Sequence, residues 1–128
     1  MRGAAIDGDR VFLVRHTYTP GWHMPGGGVE VGETAVEALG RELREEAAIE
    51  LSGPPELHGV FFNGGVSRRD HVLVFVARDL RVLEPKRPDG EIAEAGFFPL
   101  ADLPDGTTKA TRARLAEIAN GDPPPAVW

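Results

Sequence analysis

The sequence predicts an α+β fold in which a mixed β-sheet lies between helices. Two observations carry this. Short apolar runs of strand type, "RVFLVRH", "ELHGVFF" and "HVLVFVAR", stand on both sides of a long amphipathic segment. Gly- and Pro-rich turns separate them, with Gly 16 and Pro 11 in the chain. A length of 128 residues suits a single domain with a real core, expected over 1–122, followed by a Pro-rich tail at 123–128.

Composition narrows the function. At 41% hydrophobic and 27% charged the chain is ordinary for a folded soluble domain. It has no cysteine, which excludes disulfides and thiolate metal sites. The net charge is −6, from 20 acidic against 14 basic residues, and argues against a grip on long nucleic acid. A small phosphorylated ligand is compatible with that charge if bound cations reverse its sign locally. No apolar run approaches the roughly 18 residues of a membrane helix. A cytoplasmic protein without membrane contact is the expectation.

The elements follow in order. "AAIDGDRVFLVRH" reads as two strands joined by Asp7-Gly8, a hairpin pair. Residues 11–14 are continuously apolar and suit a strand buried on both faces. "TYTPGWHMPGGGVEVGE" is expected to be a loop with close backbone approaches. Thr34 and Glu37 then form a T-x-x-E capping box at a helix start. In that helix Val36, Leu39, Leu43 and Ala47 share the inward stripe, and Glu42, Glu45 and Glu46 cluster on the neighbouring one. After the strands around "NGGVSRRD", "EPKRPDGE" reads as a loop and "EIAEAGFFPL" as a further strand. A second helix is expected from a Thr cap at 107 or 108 to Gly121, with Leu115 and Ile118 inward. "DPPPAVW" cannot continue it and reads as extended or frayed.

The chemistry concentrates in "GRELREEAAIE". Like charges at i, i+3 and i+4 cost a helix a few tenths of a kcal/mol per pair, roughly. Three carboxylates on about one turn therefore point to a cation, and hard oxygen ligands suit Mg²⁺. The adjacent Gly-rich turn can bring a backbone carbonyl beside them. Elsewhere, His16, His58 and His71 lack partner spacing and read as structural, and the phenylalanines read as core.

From Gly27 the chain gives five residues, Glu33, seven residues, then Arg41-Glu42-Leu43-Arg44-Glu45-Glu46-Ala47-Ala48-Ile49. This resembles the Nudix box, G-x5-E-x7-R-E-U-x-E-E-x-G-U, with one departure: Ala48 stands where the family has Gly. "WHMPGGG" and "EIAEAGFFPLADLP" resemble the family's flanking segments. The resemblance implies an α/β/α sandwich and hydrolysis of a nucleoside diphosphate linked to another group, with Mg²⁺ as cofactor and Mn²⁺ able to substitute. It implies metal ligation by the Gly26 carbonyl, Glu42, Glu45 and Glu46, with Arg41 orienting a catalytic glutamate. Glu42 is the first choice as general base. Glu91 and Glu94 stay open as downstream candidates, and Glu33 is a further structural or metal-associated carboxylate. Trp22, His23, Arg68, Arg69 and Arg87 are candidate substrate contacts, against packing or solvated-loop roles. A full set of box glutamates favours an enzyme over a non-catalytic binding module. No subgroup signature identifies the substrate, so sugar-nucleotides, ADP-ribose and nucleoside triphosphates all stay open. Dimers are common in the family, which allows a homodimer.

Overall fold

Four apolar residues in a row, Val11 to Val14, need cover on both faces of their strand. The computed structural model describes all 128 residues and supplies that cover. β1 (Arg2–Asp7) turns through Gly8, at φ 63°, into the antiparallel β2 (Arg10–His16). β3 (Trp22–His23) follows, then α1 (Ala35–Ala47), β4 (Ile49–Leu51), β5 (Glu56–Phe62) and β6 (His71–Ala77). β7 (Leu80–Val82), β8 (Ile92–Pro99) and α2 (Lys109–Asn120) complete the order.

The main sheet runs β3-β2-β1-β6-β5, with β8 along β2. It is mixed because β1 pairs parallel with β6 while the other pairings are antiparallel. Strand alternation sorts the core into two layers. Ala4, Ile6, Val11, Leu13 and Val74 pack with Leu115 of α2, whereas Ala5, Phe12, Val14 and Phe75 pack with Leu39, Leu43 and Ala47 of α1. The helices therefore cover opposite faces. Small residues let α1 come close: a Cβ on Gly3 would stand 2.5 Å from Leu39 Cδ1. The short β4 and β7 form a separate antiparallel pair.

The segment expected to be a loop with close backbone approaches has them, and it also pairs with strands. β1 and β2 pair only next to their turn, at Ile6–Val11 and Asp7–Arg10, and residues 22–27 enter the gap that opens beyond. Trp22 and His23 pair with Arg15 and Val14 on one side. On the other, Gly3 N–H donates to the Pro25 carbonyl (2.9 Å) and Gly27 N–H to the Met1 carbonyl (3.0 Å). A Cβ on Gly26 would collide with the Met1 carbonyl and stand 2.9 Å from Arg2 Cα, so only glycine fits in the wedge.

The capping box at Thr34 and Glu37 is present as expected. Val36 departs from its expected inward place and is 43% exposed. Full burial begins at Ala38, with Ala35 only partly buried against the core. Ala48 holds the left-handed conformation (φ 53°, ψ 40°) and its N–H bonds back to the Arg44 carbonyl. It is the one non-glycine residue at positive φ.

The last residues are extended but not frayed. Phe62 N–H donates to the Ala126 carbonyl (2.7 Å) and Trp128 N–H to the Phe62 carbonyl (2.9 Å), which covers part of the β5 edge. Arg114 secures the segment: buried at 3% exposure, it donates to the Val127 and Trp128 carbonyls and stacks over Phe61 at 4.3 Å. Glu117 bonds Arg114 (2.7 Å) and His58 (2.9 Å). Burial pushes the Glu117 carboxyl up, but the hydrogen bonds from Arg114 and His58 outweigh it and hold the group below its ordinary value.

Two outcomes follow. Ala48→Gly removes the left-handed strain of a β-carbon and should stabilise the fold by up to about 1 kcal/mol in denaturant melts; a loss of stability would contradict the φ of 53°. A carboxylate with a depressed folded pKa contributes stability above its unfolded pKa and loses it as pH falls. The stability difference between the parent and Glu117→Gln should be full above pH 4.5 and shrink below it. A difference that stays constant on acidification would count against the Arg114–Glu117–His58 cluster as the cause.

Candidate active site

The three box glutamates share a helical patch but not an environment. Glu46 is buried at 6% exposure. One of its oxygens accepts from Gly26 N–H (2.8 Å) and the other lies 2.7 Å from His16 Nε2. Glu42 is largely covered, with its side chain 14% exposed, while that of Glu45 is 61% exposed. The sequence pattern displays all three on one face; the wedge of residues 22–27 buries one end of it. His16, read from sequence as structural, is the partner of Glu46. The two lie thirty positions apart, so no local spacing could reveal the pair.

Arg41 organises the outer part of the patch. Its Nε and Nη2 grip both oxygens of Glu33 (2.9 and 3.0 Å), and its Nη1 donates to Glu42 (2.9 Å). Nη2 also reaches the Gly28 carbonyl (3.1 Å), and Glu45 lies 3.5 Å from Nη1. The guanidinium and the Glu30 N–H hold the Glu33 carboxyl down at about 2. Glu42 moves the other way: burial raises its proton affinity, and the carboxylates of Glu46 and Glu45 add to the rise against the Arg41 hydrogen bond. Two carboxylates on one arginine are thus driven in opposite directions.

The donor set suits a hard divalent cation. It offers the carboxylates of Glu42, Glu45 and Glu46 beside the glycine turn, with no thiolate. The turn also abuts the carboxylates, since a Cβ on Gly27 would stand 2.5 Å from Glu42 Oε1. No three His, Asp or Glu side chains converge on one point: Glu42 and Glu45 are turned onto Arg41, and Glu46 onto His16.

The remaining candidates disperse. Trp22 is buried at 9% exposure, edge-on to Phe98, so its ring faces the core. His23 is partly buried, its ring nitrogen 3.1 Å from the Pro20 carbonyl, and burial lowers its proton affinity. Arg68 and Arg69 are exposed on the connection between β5 and β6. Arg87 lines a separate groove with Arg44 and Ala48. Glu94 pairs with Arg15, and the Glu91 carbonyl accepts from Thr17 N–H, so both stand at the end of β2 that carries His16. Arg2 went unnoticed in the sequence. Its Nη1 donates to the Met24 carbonyl (3.0 Å), and it lines a cleft of about 420 Å³ with Gly27 and Gly28. An isolated arginine at the start of a strand carries no pattern that would single it out.

The NUDIX domain family matches residues 2–118. The chain is 35% identical over 100 residues to the human 8-oxo-dGDP phosphatase NUDT18, covering 77% of this chain and 30% of that protein. It is 34% identical over 111 residues to an ADP-ribose pyrophosphatase of Methanocaldococcus jannaschii, covering 78% and 63%. Less than two thirds of either relative is therefore spanned. A solved MutT NUDIX hydrolase from Burkholderia pseudomallei superposes with a TM-score of 0.71 at 28% identity, over 91% of this chain and 94% of that one. With the family match spanning nearly its whole length and the same architecture in a solved relative, the chain belongs to the Nudix family.

Proposed function

We propose that this chain is a Mg²⁺-dependent pyrophosphohydrolase that cleaves the diphosphate of a nucleoside diphosphate linked to a further group. The observation that carries the reading is Glu42. Its carboxylate lies against the glycine turn with raised proton affinity, held in place by an arginine that Glu33 anchors. The relatives support a diphosphate-containing nucleotide as substrate: ADP-ribose, in one name, is a nucleoside diphosphate linked to ribose, and 8-oxo-dGDP, in the other, is a nucleoside diphosphate without a further group.

Glu42, Glu45, Glu46 and the Gly26 carbonyl would hold the cation. Bound there, it would neutralise the diphosphate and acidify water. The chain's residues do the rest. Glu42 takes a proton from the attacking water as the water oxygen bonds to phosphorus, and the bridging P–O bond breaks with its electron pair leaving on the departing phosphate. Arg41 is a positioning residue: it fixes the Glu42 carboxylate relative to the turn. His16 and Gly26 N–H do the same for Glu46.

Three measurements test this. Turnover of a nucleoside diphosphate panel, including ADP-ribose and sugar-nucleotides, should require Mg²⁺ or Mn²⁺ and yield a nucleoside monophosphate; a panel left intact with both ions present would sink the proposal. Glu45→Gln removes the charge of a largely exposed carboxylate whose one partner is Arg41, at 3.5 Å. Turnover should fall by about two orders of magnitude or more, while metal-free melting stays unchanged and metal-induced stabilisation shrinks from the parent's value, about 2.7 kcal/mol at a hundredfold excess over Kd. Near-normal turnover in this variant at saturating Mg²⁺ would remove Glu45 from the site. Arg41→Lys keeps the charge but loses the fork that spans Glu33 and Glu42. It should lower kcat by about a hundredfold with KM little changed, as expected when a catalytic group is misplaced. A shift confined to KM would assign Arg41 to substrate binding instead.

A further inference from the structure

The chain has two asparagines, Asn63 and Asn120, and a glycine follows each of them. That pair is chemically labile. The glycine nitrogen can attack the side-chain carbonyl carbon of the asparagine, because no β-carbon on the following residue obstructs the approach. In a folded protein two conditions set the rate. The glycine N–H must be free, and the asparagine backbone must be able to turn into the ring.

The fold treats the two pairs differently. Asn120 is the last residue of α2, and the Gly121 N–H donates to the Glu117 carbonyl. Asp122 N–H reaches the same carbonyl (2.9 Å). Attack at Asn120 therefore requires the last turn of the helix to open. Asn63 lies just beyond the end of β5, in the connection to β6. The Gly64 N–H makes no hydrogen bond, and neither does the Asn63 side-chain amide. The Asn63 carbonyl accepts from Val66 N–H (3.1 Å) and Ser67 N–H (3.4 Å), but residues 64–69 are all exposed, so this turn opens locally. Exposure alone would rank the pairs the other way, since Asn120 is exposed and Asn63 half-buried. Packing also keeps the labile pair in place: a Cβ on Gly64 would stand 2.7 Å from Phe62 Cε2.

We propose that Asn63 is a site of spontaneous imide formation, which converts it to aspartate or isoaspartate in the folded protein while Asn120 is spared. The Gly64 nitrogen bonds to the Asn63 Cγ and loses its proton, and the side-chain amide leaves as ammonia. Water then opens the five-membered imide. Attack at the side-chain carbonyl gives aspartate, and attack at the main-chain carbonyl gives isoaspartate. Either product places a second carboxylate on the cleft wall that carries Asp70. Isoaspartate also adds a carbon to the main chain at the base of the connection, where Asn63 N–H donates to the Asp70 carbonyl (2.9 Å).

Ageing the folded protein in mildly alkaline buffer, followed by peptide mass spectrometry, tests the assignment. The segment with Asn63 should show the mass gain of amide-to-acid exchange about tenfold or more faster than the segment with Asn120. The same chain unfolded in urea should lose that difference, because both glycine N–H groups are then free. Hydrogen exchange supplies a readout without the reaction: Gly64 N–H should exchange much faster than Gly121 N–H. Three results overturn the assignment: equal or faster conversion at Asn120 in the folded protein, no conversion at Asn63 while the unfolded chain reacts, or a difference that persists in urea. Protection of Gly64 N–H equal to that of Gly121 does so too.

Discussion

The Glu46 carboxylate is the point on which the site depends. A buried charge is costly unless it is bonded, and Glu46 meets that demand with one partner from β2 and one from the glycine turn. The carboxylate itself comes from α1, so a single group ties three separate parts of the chain. The tie also fixes how the helix sits. Leu39, Leu43 and Ala47 decide which face of α1 meets the sheet, but apolar packing tolerates small slides along a helix axis. A carboxylate that must reach both His16 and the Gly26 N–H does not.

Around Glu42 and Glu45 the balance is different, because the excess of negative charge lies nearer the solvent. Arg41 spreads one positive charge over Glu30, Glu33, Glu42 and Glu45, and the bidentate grip on Glu33 sets its direction. The pairs to the exposed Glu30 and Glu45 are individually weak, so their value is geometric. Arg41 holds Glu42 where burial raises its proton affinity, a state that the local repulsion among glutamates reinforces.

Much of this was legible in the sequence, and the limits are physical. Local signals performed well: the Asp7-Gly8 turn, the Thr34 capping box, the Thr108 cap and Gly121 all lie within a few residues of what they determine. The box glutamates were legible because their spacing is helical. What failed depended on distant contacts. Nothing near Glu46 announces His16, nothing near Arg2 announces the cleft, and nothing in "DPPPAVW" announces that Arg114 will hold it. Val36 shows the converse error, since periodicity gives a stripe without saying how much of it the core covers. Ala48 sits between these cases. The sequence marks it as a departure from the family's glycine, and the backbone there adopts the left-handed conformation.

The parallel pairing of β1 with β6 has a consequence for when the site comes into being. Arg2 meets Val74 and Ala5 meets Ala77, so this contact closes most of the chain into a loop, whereas the β1–β2 hairpin and α1 need only their neighbours. Contacts between distant residues repay their entropy late in folding. The cleft has one wall on the first strand and its neighbouring turn, and the other on β6 and the connection before it. Its two walls therefore belong to halves of the molecule that meet only through this pairing. A nascent chain can form the helix and its row of glutamates early, but the cleft beside them does not exist until its two halves have met.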